Sequence, residues 1–500
     1  MGQVLCPTLI GRQGETHVLR AALARAEAKQ GGLVFVTGEA GIGKSRLARE
    51  AAAWASGEGL VVLWGRAAAG PTPTPFRPLA EAILSVLRTS GPPDAEELTP
   101  YRPFLGRLVP EWGGMPAPVE QSLVLVGEAV LRLLRVMAGG RGCLIVLEDL
   151  HWADPETLAI VEYLADNLSA EPVLCVATAR LGEASPAATL ARSLGGRRAA
   201  TVVELAPLSL EETERMASAC LAAAELPATL REVLLASAEG VPFLVEELLA
   251  GWVGDGVLSR KESGWAVSGS VAPVVPLSFA DMVTRRVATL GEEARSVLQA
   301  AGVLGRRFDW SLLPAITGLT ERQVLDGLRT GVDAQLLGLE RDDGTVGFRF
   351  RHALTRDAVV AALLPPDQAA LARRALEALE HQRPDGGTER QALAAELAEQ
   401  AGQPDRAAEL LLDMGREALR RGALDTAEVA LDRARGMPRV EGERWLEISE
   451  ALIEVYSWAG KLDPALEVGT LILNALAPTA PRTAEVHLRL ARAAVAAERW

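Results

Sequence analysis

Residues 33–45 read Leu-Val-Phe-Val-Thr-Gly-Glu-Ala-Gly-Ile-Gly-Lys-Ser. The first five are apolar or β-branched, a run expected of a buried parallel strand. The next eight, Gly38, Glu39, Ala40, Gly41, Ile42, Gly43, Lys44 and Ser45, fit GxxxxGK[ST] at every fixed position. A helical pattern, Ser45–Ala55, follows directly. Strand, glycine loop and helix in this order make a phosphate cradle. The glycines let successive N–H groups turn inward, and the helix N-terminus adds partial positive charge. Lys44 is placed to reach the β- and γ-phosphates of ATP, and the Ser45 hydroxyl to ligate Mg²⁺. A plain Gly-rich loop is the bland alternative; strand, spacing and helix together weigh against it.

Similar apolar runs recur at Leu60–Trp64, Cys143–Leu147, Pro172–Thr178 and Thr201–Leu205, with helical patterns between them. Strands alternating with helices predict an α/β P-loop fold on a parallel sheet. The run at Cys143 ends in Glu148-Asp149, about 105 residues after the glycine loop. An apolar strand closing on two carboxylates is the Walker B pattern. One acid serves Mg²⁺, the other orients or deprotonates the attacking water. Glu148 stands where the common version has Asp. Both acids are catalytic candidates, with Ser45 and Glu148 the expected Mg²⁺ ligands, and the spacing leaves the division of labour between the two acids open.

The 500 residues suffice for three or four domains, and 49% hydrophobic content supplies their cores. Aromatics are only 4%, so the apolar mass is mostly Ala, Leu and Val, which favours helices. A net charge of −14 argues against non-specific binding to nucleic acid or anionic membrane. Cys6, Cys143, Cys175 and Cys220 lie far apart in sequence and form no CxxC pair, which argues against a disulfide or zinc site. No apolar leader follows Met1, and every longer apolar stretch is broken by charge, so a cytoplasmic protein is expected.

Along the chain, Pro71–Pro118 is rich in Pro and Gly around a helical stretch, Leu79–Arg88, and reads as an insertion. Residues 208–258 read as helical, 259–276 as a Gly/Ser/Pro-containing linker, and 277–365 as helices with a strand pair around a turn at Asp342–Gly344. Residues 366–500 are Ala-rich and helical. Gly422-Ala-Leu-Asp and Gly460-Lys-Leu-Asp match at a spacing of 38, near the period of tetratricopeptide (TPR) arrays. Trp500 falls at the next corresponding place with no capping helix, so the array is expected to be truncated.

Several segments together carry a resemblance. Glu148-Asp-Leu-His-Trp-Ala-Asp154 resembles the "DDLHWAD" signature of STAND-class signalling NTPases, and more narrowly that of the large ATP-binding regulators of the LuxR family. Gly11-Arg12 with Glu15 resembles the family's "GRE" segment, which lies against the base; Val176–Arg180 resembles its sensor-1 strand end. Gly240-Val-Pro242-Phe-Leu-Val-Glu-Glu247 resembles the "GNPFFLEEL" segment bordering the adenine. Ala300–Gly305 with Phe308 and Phe350–Asp357 resemble the start and end of its winged-helix domain. The segments run collinearly over about residues 8–435.

The resemblance implies an AAA-like ATPase domain over 8–207, a helical lid over 208–258, a linker over 259–276, a winged helix over 277–365 and TPR-like repeats over 366–500. It implies nucleotide contacts from Gly11, Arg12 and Pro242, a γ-phosphate-sensing role for Thr178, a phosphate-reaching cation at Arg180, and a phosphate contact from His352 in an inactive state. Against these stand plainer readings: Thr178 as a sheet cap, Arg180 as a surface charge, His352 as a structural histidine. His151 and Trp152 read as packing for the turn. Residues 277–365 hold eleven basic and eleven acidic side chains, so no DNA-binding face is expected there.

The expected function is an ATP-binding signalling switch that hydrolyses ATP slowly to ADP and phosphate. It would be the N-terminal part of a LuxR-type transcriptional regulator, with an inducer or protein partner on the repeats and DNA reached only through a missing C-terminal helix-turn-helix. A nucleotide-dependent oligomer is left open. The alternative is a stand-alone AAA-type ATPase acting on nucleic acid or protein; the acidic balance disfavours the nucleic-acid version.

Overall fold

The computed structural model describes residues 6–68, 70, 72–109, 112, 123–180, 185–223, 226, 228–254, 256–261, 264–267, 279–342, 345–382, 387–477 and 480–497. Trp500, residues 268–276 of the expected linker, residues 71, 110–111 and 113–118 of the Pro/Gly-rich insertion and the apex of the expected turn at 343–344 lie outside the described residues.

The first part alternates helix and strand: α1 (Gln13–Glu27), β1 (Gly32–Thr37), α2 (Lys44–Gly57), β2 (Val61–Arg66), α3 (Arg77–Ser90), α4 (Arg102–Leu105), α5 (Leu123–Ala138), β3 (Cys143–Glu148), α6 (Pro155–Asn167), β4 (Val173–Ala179), α7 (Pro186–Gly196) and β5 (Ala200–Glu204). All five apolar runs read from the sequence are strands. They form one sheet in the order β2-β3-β4-β1-β5. The pairs β2–β3, β3–β4 and β4–β1 are parallel. β3 and β4 are buried at every residue, as strands covered on both faces must be.

Next come α8 (Leu210–Leu221), α9 (Ala228–Ala238), α10 (Pro242–Gly254), β6 (Leu258–Lys261), β7 (Gly264–Val267), α11 (Phe279–Ala288), α12 (Glu292–Leu304), β8 (Arg307–Phe308), α13 (Leu313–Thr317), α14 (Glu321–Asp333), β9 (Leu337–Asp342), β10 (Thr345–Phe350), α15 (Ala353–Ala361) and α16 (Pro365–Gln382). β6 and β7 pair as an antiparallel hairpin, so the first half of the stretch read as a linker carries regular structure. Trp265 ties it down, its indole N–H donating to Leu221 O at 2.8 Å. β8 adds a third strand beside the expected pair, in the order β8-β10-β9.

The last part is helical throughout its described residues: α17 (Gly387–Gln400), α18 (Pro404–Arg420), α19 (Leu424–Arg435), α20 (Gly442–Trp458), α21 (Leu462–Ala475) and α22 (Pro481–Ala496). The 38-residue spacing is visible in the starts of α18 and α20 and again of α19 and α21. Gly422 and Gly460, at φ 69° and 66°, turn the chain at equivalent places. This is a TPR-like helical array.

Contacts group the chain into two compact units. One comprises residues 18–37, 48–203 and 385–500, that is, the sheet with its helices and the repeat array. The other comprises residues 1–17, 38–47 and 204–384, so the glycine loop is grouped with the helices after β5.

Within the first unit, the array meets the sheet domain at Arg433–Thr72, at Arg77–Glu389 and at one buried carboxylate. Glu156, in the first turn of α6, accepts from Thr426 N at 3.1 Å and from Thr426 Oγ1 at 2.6 Å. The N-cap of α19 is Ala423, which has no side-chain oxygen, so Glu156 supplies the missing cap. Asp154 caps α6 itself, accepting from Thr157 N at 2.8 Å and Thr157 Oγ1 at 2.6 Å.

Candidate nucleotide site

β1 hands its chain directly to the glycine loop. Gly38, Gly41 and Gly43 adopt φ of 143°, 78° and 108°, the half of conformational space that L side chains avoid. At Gly41 a second constraint applies, because a Cβ there would lie 2.9 Å from Phe243 Cβ. At Gly43 a Cβ would meet nothing within 4 Å, so the loop is open on that side. Lys44 is buried and donates to Gly38 O at 2.9 Å and Glu39 O at 2.6 Å, folding its stem over the loop. Ser45 follows in the first turn of α2, half-buried. A backbone cradle with an ammonium at the head of a 14-residue helix fits a polyphosphate, and a serine hydroxyl fits a hard cation.

Two further segments brace this loop. Arg12 is buried; it donates to Ile42 O at 3.2 Å and pairs with Glu15 at 3.3 Å. Gly11 lets that segment approach α8, since a Cβ there would sit 2.7 Å from the Glu212 carboxyl. From the other side, Phe243 N donates to Gly41 O at 3.3 Å. Pro242, half-buried, starts α10. The Phe243 ring packs on His352, centroids 4.1 Å apart and planes tilted by 55°. His352 is the N-cap residue of α15 and is half-buried. Sequence reasoning singled out Pro242 and His352 and passed over Phe243, the side chain that joins the loop to His352.

Salt bridges run alongside. Glu247 on α10 pairs with Arg286 on α11 at 2.6 Å, and Glu246 approaches Arg351 at 3.9 Å. Burial pushes Glu246 up and Arg351 down, each toward its neutral form. Cys6 N donates to Glu246 at 3.0 Å. Cys6 and Cys220, 214 positions apart in sequence, belong to one buried cluster and both are free thiols. A hydrogen bond from the Cys220 thiol brings Cys6 down to about 7, against burial, and raises Cys220. Nothing in their spacing signalled that proximity. Cys143 and Cys175 are buried strand thiols, both raised by burial.

At the end of β3 the chemistry is of another kind. Glu148 is fully buried, and its Oε2 accepts from Arg66 Nη2 and from Trp64 Nε1, the latter at 3.2 Å. Arg66 is the last residue of β2 and stands in register with Glu148. Burial works against its charge, yet the attraction of Glu148 and Asp149 lifts its pKa above the ordinary guanidinium value. Asp149 takes a left-handed conformation (φ 58°, ψ 38°), its N–H donates to Thr178 Oγ1 at 2.9 Å, and its Oδ2 lies 3.7 Å from Arg66 Nε. Its side chain is 22% exposed. Thr178 is buried and its hydroxyl ties β4 to the turn after β3, and Arg180, half-buried, follows the end of β4. His151 and Trp152 form the short 3₁₀ turn that follows, rings 5.3 Å apart. Beyond it, Asp154 is raised mainly by burial, and Glu156 is raised to about 7 by burial and then by Asp154. Neither Trp64 nor Arg66 was legible as a site residue; the available hint was a lone arginine closing an apolar strand.

Residues 8–177 match the AAA ATPase domain family. An uncharacterized protein of Rhizobium meliloti (strain 1021) is 27% identical over 452 residues, which are 85% of this chain and 42% of that protein. The chain therefore spans less than half the length of this curated relative. Among solved structures, a Signal Transduction ATPase with Numerous Domains (STAND) protein with a tetratricopeptide repeat sensor from Pyrococcus horikoshii is similar over 99% of this chain and 68% of its own, at 16% identity and TM-score 0.49. The ORC2 protein of Aeropyrum pernix is similar over 75% of this chain and 96% of its own, at 14% identity and TM-score 0.33. No helix among the described residues is long and apolar enough to cross a membrane.

Proposed function

We propose that this chain, which carries an AAA-type ATPase domain over residues 8–177, is an ATP-operated signalling switch of the STAND type. In this reading the loop N–H groups and Lys44 hold the phosphates, and Arg12 keeps the loop in shape. Ser45 and a carboxylate of the pair closing β3 would hold Mg²⁺, which would supply neutralisation of phosphate charge. One carboxylate of that pair accepts the proton of the attacking water. Hydrolysis is slow, because a switch depends on a long-lived bound state.

The observation that carries the reading is the contact path within one unit, from Gly41 through Phe243 to His352. A loop that changes shape with its nucleotide would move Phe243, and Phe243 cannot move without disturbing the head of α15. The ion pairs Glu247–Arg286 and Glu246–Arg351 give the same helix, α10, a grip on residues 286 and 351. We read residues 277–365 as the winged-helix relay and the repeat array as the docking surface for an inducer or protein partner. The finer identity, the N-terminal part of a LuxR-type transcriptional regulator, rests on the resemblance of the Glu148–Asp154 and Gly240–Glu247 segments.

Hydrogen exchange in the presence of ATP and of ADP tests this. Protection should differ between the two at Gly38–Ser45 and also at Phe350–Asp357. A difference confined to the loop would leave a plain ATPase, since a ligand shifts an equilibrium only by its differential affinity for two states.

A further inference from the structure

We propose that Arg66 is a positioning residue of the acidic strand end: it holds Glu148 as its counter-ion on the β2 side of β3 and leaves Asp149 as the carboxylate that meets the metal. The inference rests on the Mg-ATP reading above and divides the labour between its two acids.

Sheet order supplies the direction. β3 lies between β2 and β4, and β1 lies beyond β4. The chain runs from the end of β1 straight into the glycine loop, so the strand that leads to the loop stands on the β4 side of β3. Glu148 is drawn the other way. Its Oε2 takes both Arg66 Nη2 and the Trp64 indole N–H, and both donors come from β2. Register makes this arrangement stable, because Arg66 and Glu148 are paired residues of parallel strands, and Trp64 lies two residues before Arg66, on the same face. A fully buried carboxylate with a charged partner at hand does not leave it cheaply; breaking such a pair strands a charge in a low dielectric.

Asp149 is held differently. Its left-handed backbone breaks the strand direction, and its N–H is tied to Thr178 on β4, the side toward β1. Its carboxylate keeps exposure that Glu148 lacks, 22% against 0%. Arg66 touches it only at 3.7 Å. On this arrangement Glu148 acts through Arg66 rather than on the metal. It neutralises a cation that would otherwise repel Mg²⁺ from Asp149.

The test is a rescue, read as the Mg²⁺ concentration that half-saturates binding of a fluorescent ATP analogue to the full chain. Glu148→Gln should raise it about tenfold, because Arg66 is left uncompensated. Adding Arg66→Gln to the same chain should recover most of that loss, since both charges are then gone. Asp149→Asn should raise it by at least as much and should not be recovered by Arg66→Gln. If Glu148 ligated the metal directly, the double variant would stay as weak as Glu148→Gln, and that result overturns the proposal. Should Glu148→Gln alone fail to fold, the double variant against Asp149→Asn decides: equal weakness of the two overturns the assignment, and a clearly stronger double variant supports it. Binding without Mg²⁺ separates this from the parent reading. Wild type binding nucleotide no better than Lys44→Ala would bring down the phosphate site and the clamp together. Lys44-dependent binding with no rescue would bring down the clamp alone.

Discussion

The segments that follow β1 and β3 are built in contrasting ways. After β1, three glycines with positive φ present backbone to a ligand, and Lys44, which belongs to the loop itself, folds over them while Arg12 braces Ile42 O from outside. After β3, the backbone does little and side chains from other strands do the rest: Arg66 and Trp64 from β2, Thr178 from β4. The backbone cradle is specified by local sequence and braced from outside by Arg12 and Phe243. A side-chain cluster is built by register and depends on every strand that contributes. The contrast predicts where substitutions stay local and where they spread.

The largest effect is expected at the loop. Lys44→Ala removes a charge-assisted phosphate contact worth roughly 1.5–3 kcal/mol, so ATP affinity measured by calorimetry should fall about ten- to a hundredfold. The melting temperature should change little, because the hydrogen bonds from Lys44 to Gly38 O and Glu39 O lie within its own loop. Unchanged affinity would remove the basis of the whole contrast.

Next in size is Asp149→Asn. Nucleotide should still bind at saturating Mg²⁺, while single-turnover hydrolysis slows by about tenfold or more, since a neutral amide is a weaker Mg²⁺ ligand than a carboxylate. A larger loss from Glu148→Gln than from Asp149→Asn would reverse the roles assigned to the two acids.

The relay is a subtler matter. His352→Ala removes the ring against which Phe243 packs. The ATP-minus-ADP difference in hydrogen exchange at 350–357 should shrink, while the difference at the loop remains. An undiminished difference at 350–357 would mean that coupling runs through the ion pairs on α10 instead.

The smallest effect concerns stability against pH. Burial and Asp154 raise Glu156 from 4.5 to about 7. A carboxyl raised by folding stabilises the fold below its unfolded value, and that contribution is lost as pH rises through the folded one. The melting temperature should therefore decline between about pH 4.5 and 7, and Glu156→Gln should flatten the decline by a few degrees. The flattening should be partial, because buried Asp154 is shifted in the same direction. An identical pH profile in the variant would show that the Thr426 contact does not report the charge of Glu156.

The sequence by itself determined the parallel sheet, the glycine loop and the helical array, because each rests on a short-range pattern. Thirteen consecutive residues specify strand, loop and helix start, and the repeat of Gly422 at Gly460 specifies the turns. It also located the acid pair, but could not assign its two members, since that depends on which residue of β2 stands beside Glu148. Tertiary structure alone decided the partners separated by long stretches of chain: Arg66 for Glu148, Phe243 for Gly41 and His352, Glu156 for Thr426. Spacing in sequence carries no signal for such pairs. Strand register and helix docking bring them together, and both are properties of the folded chain.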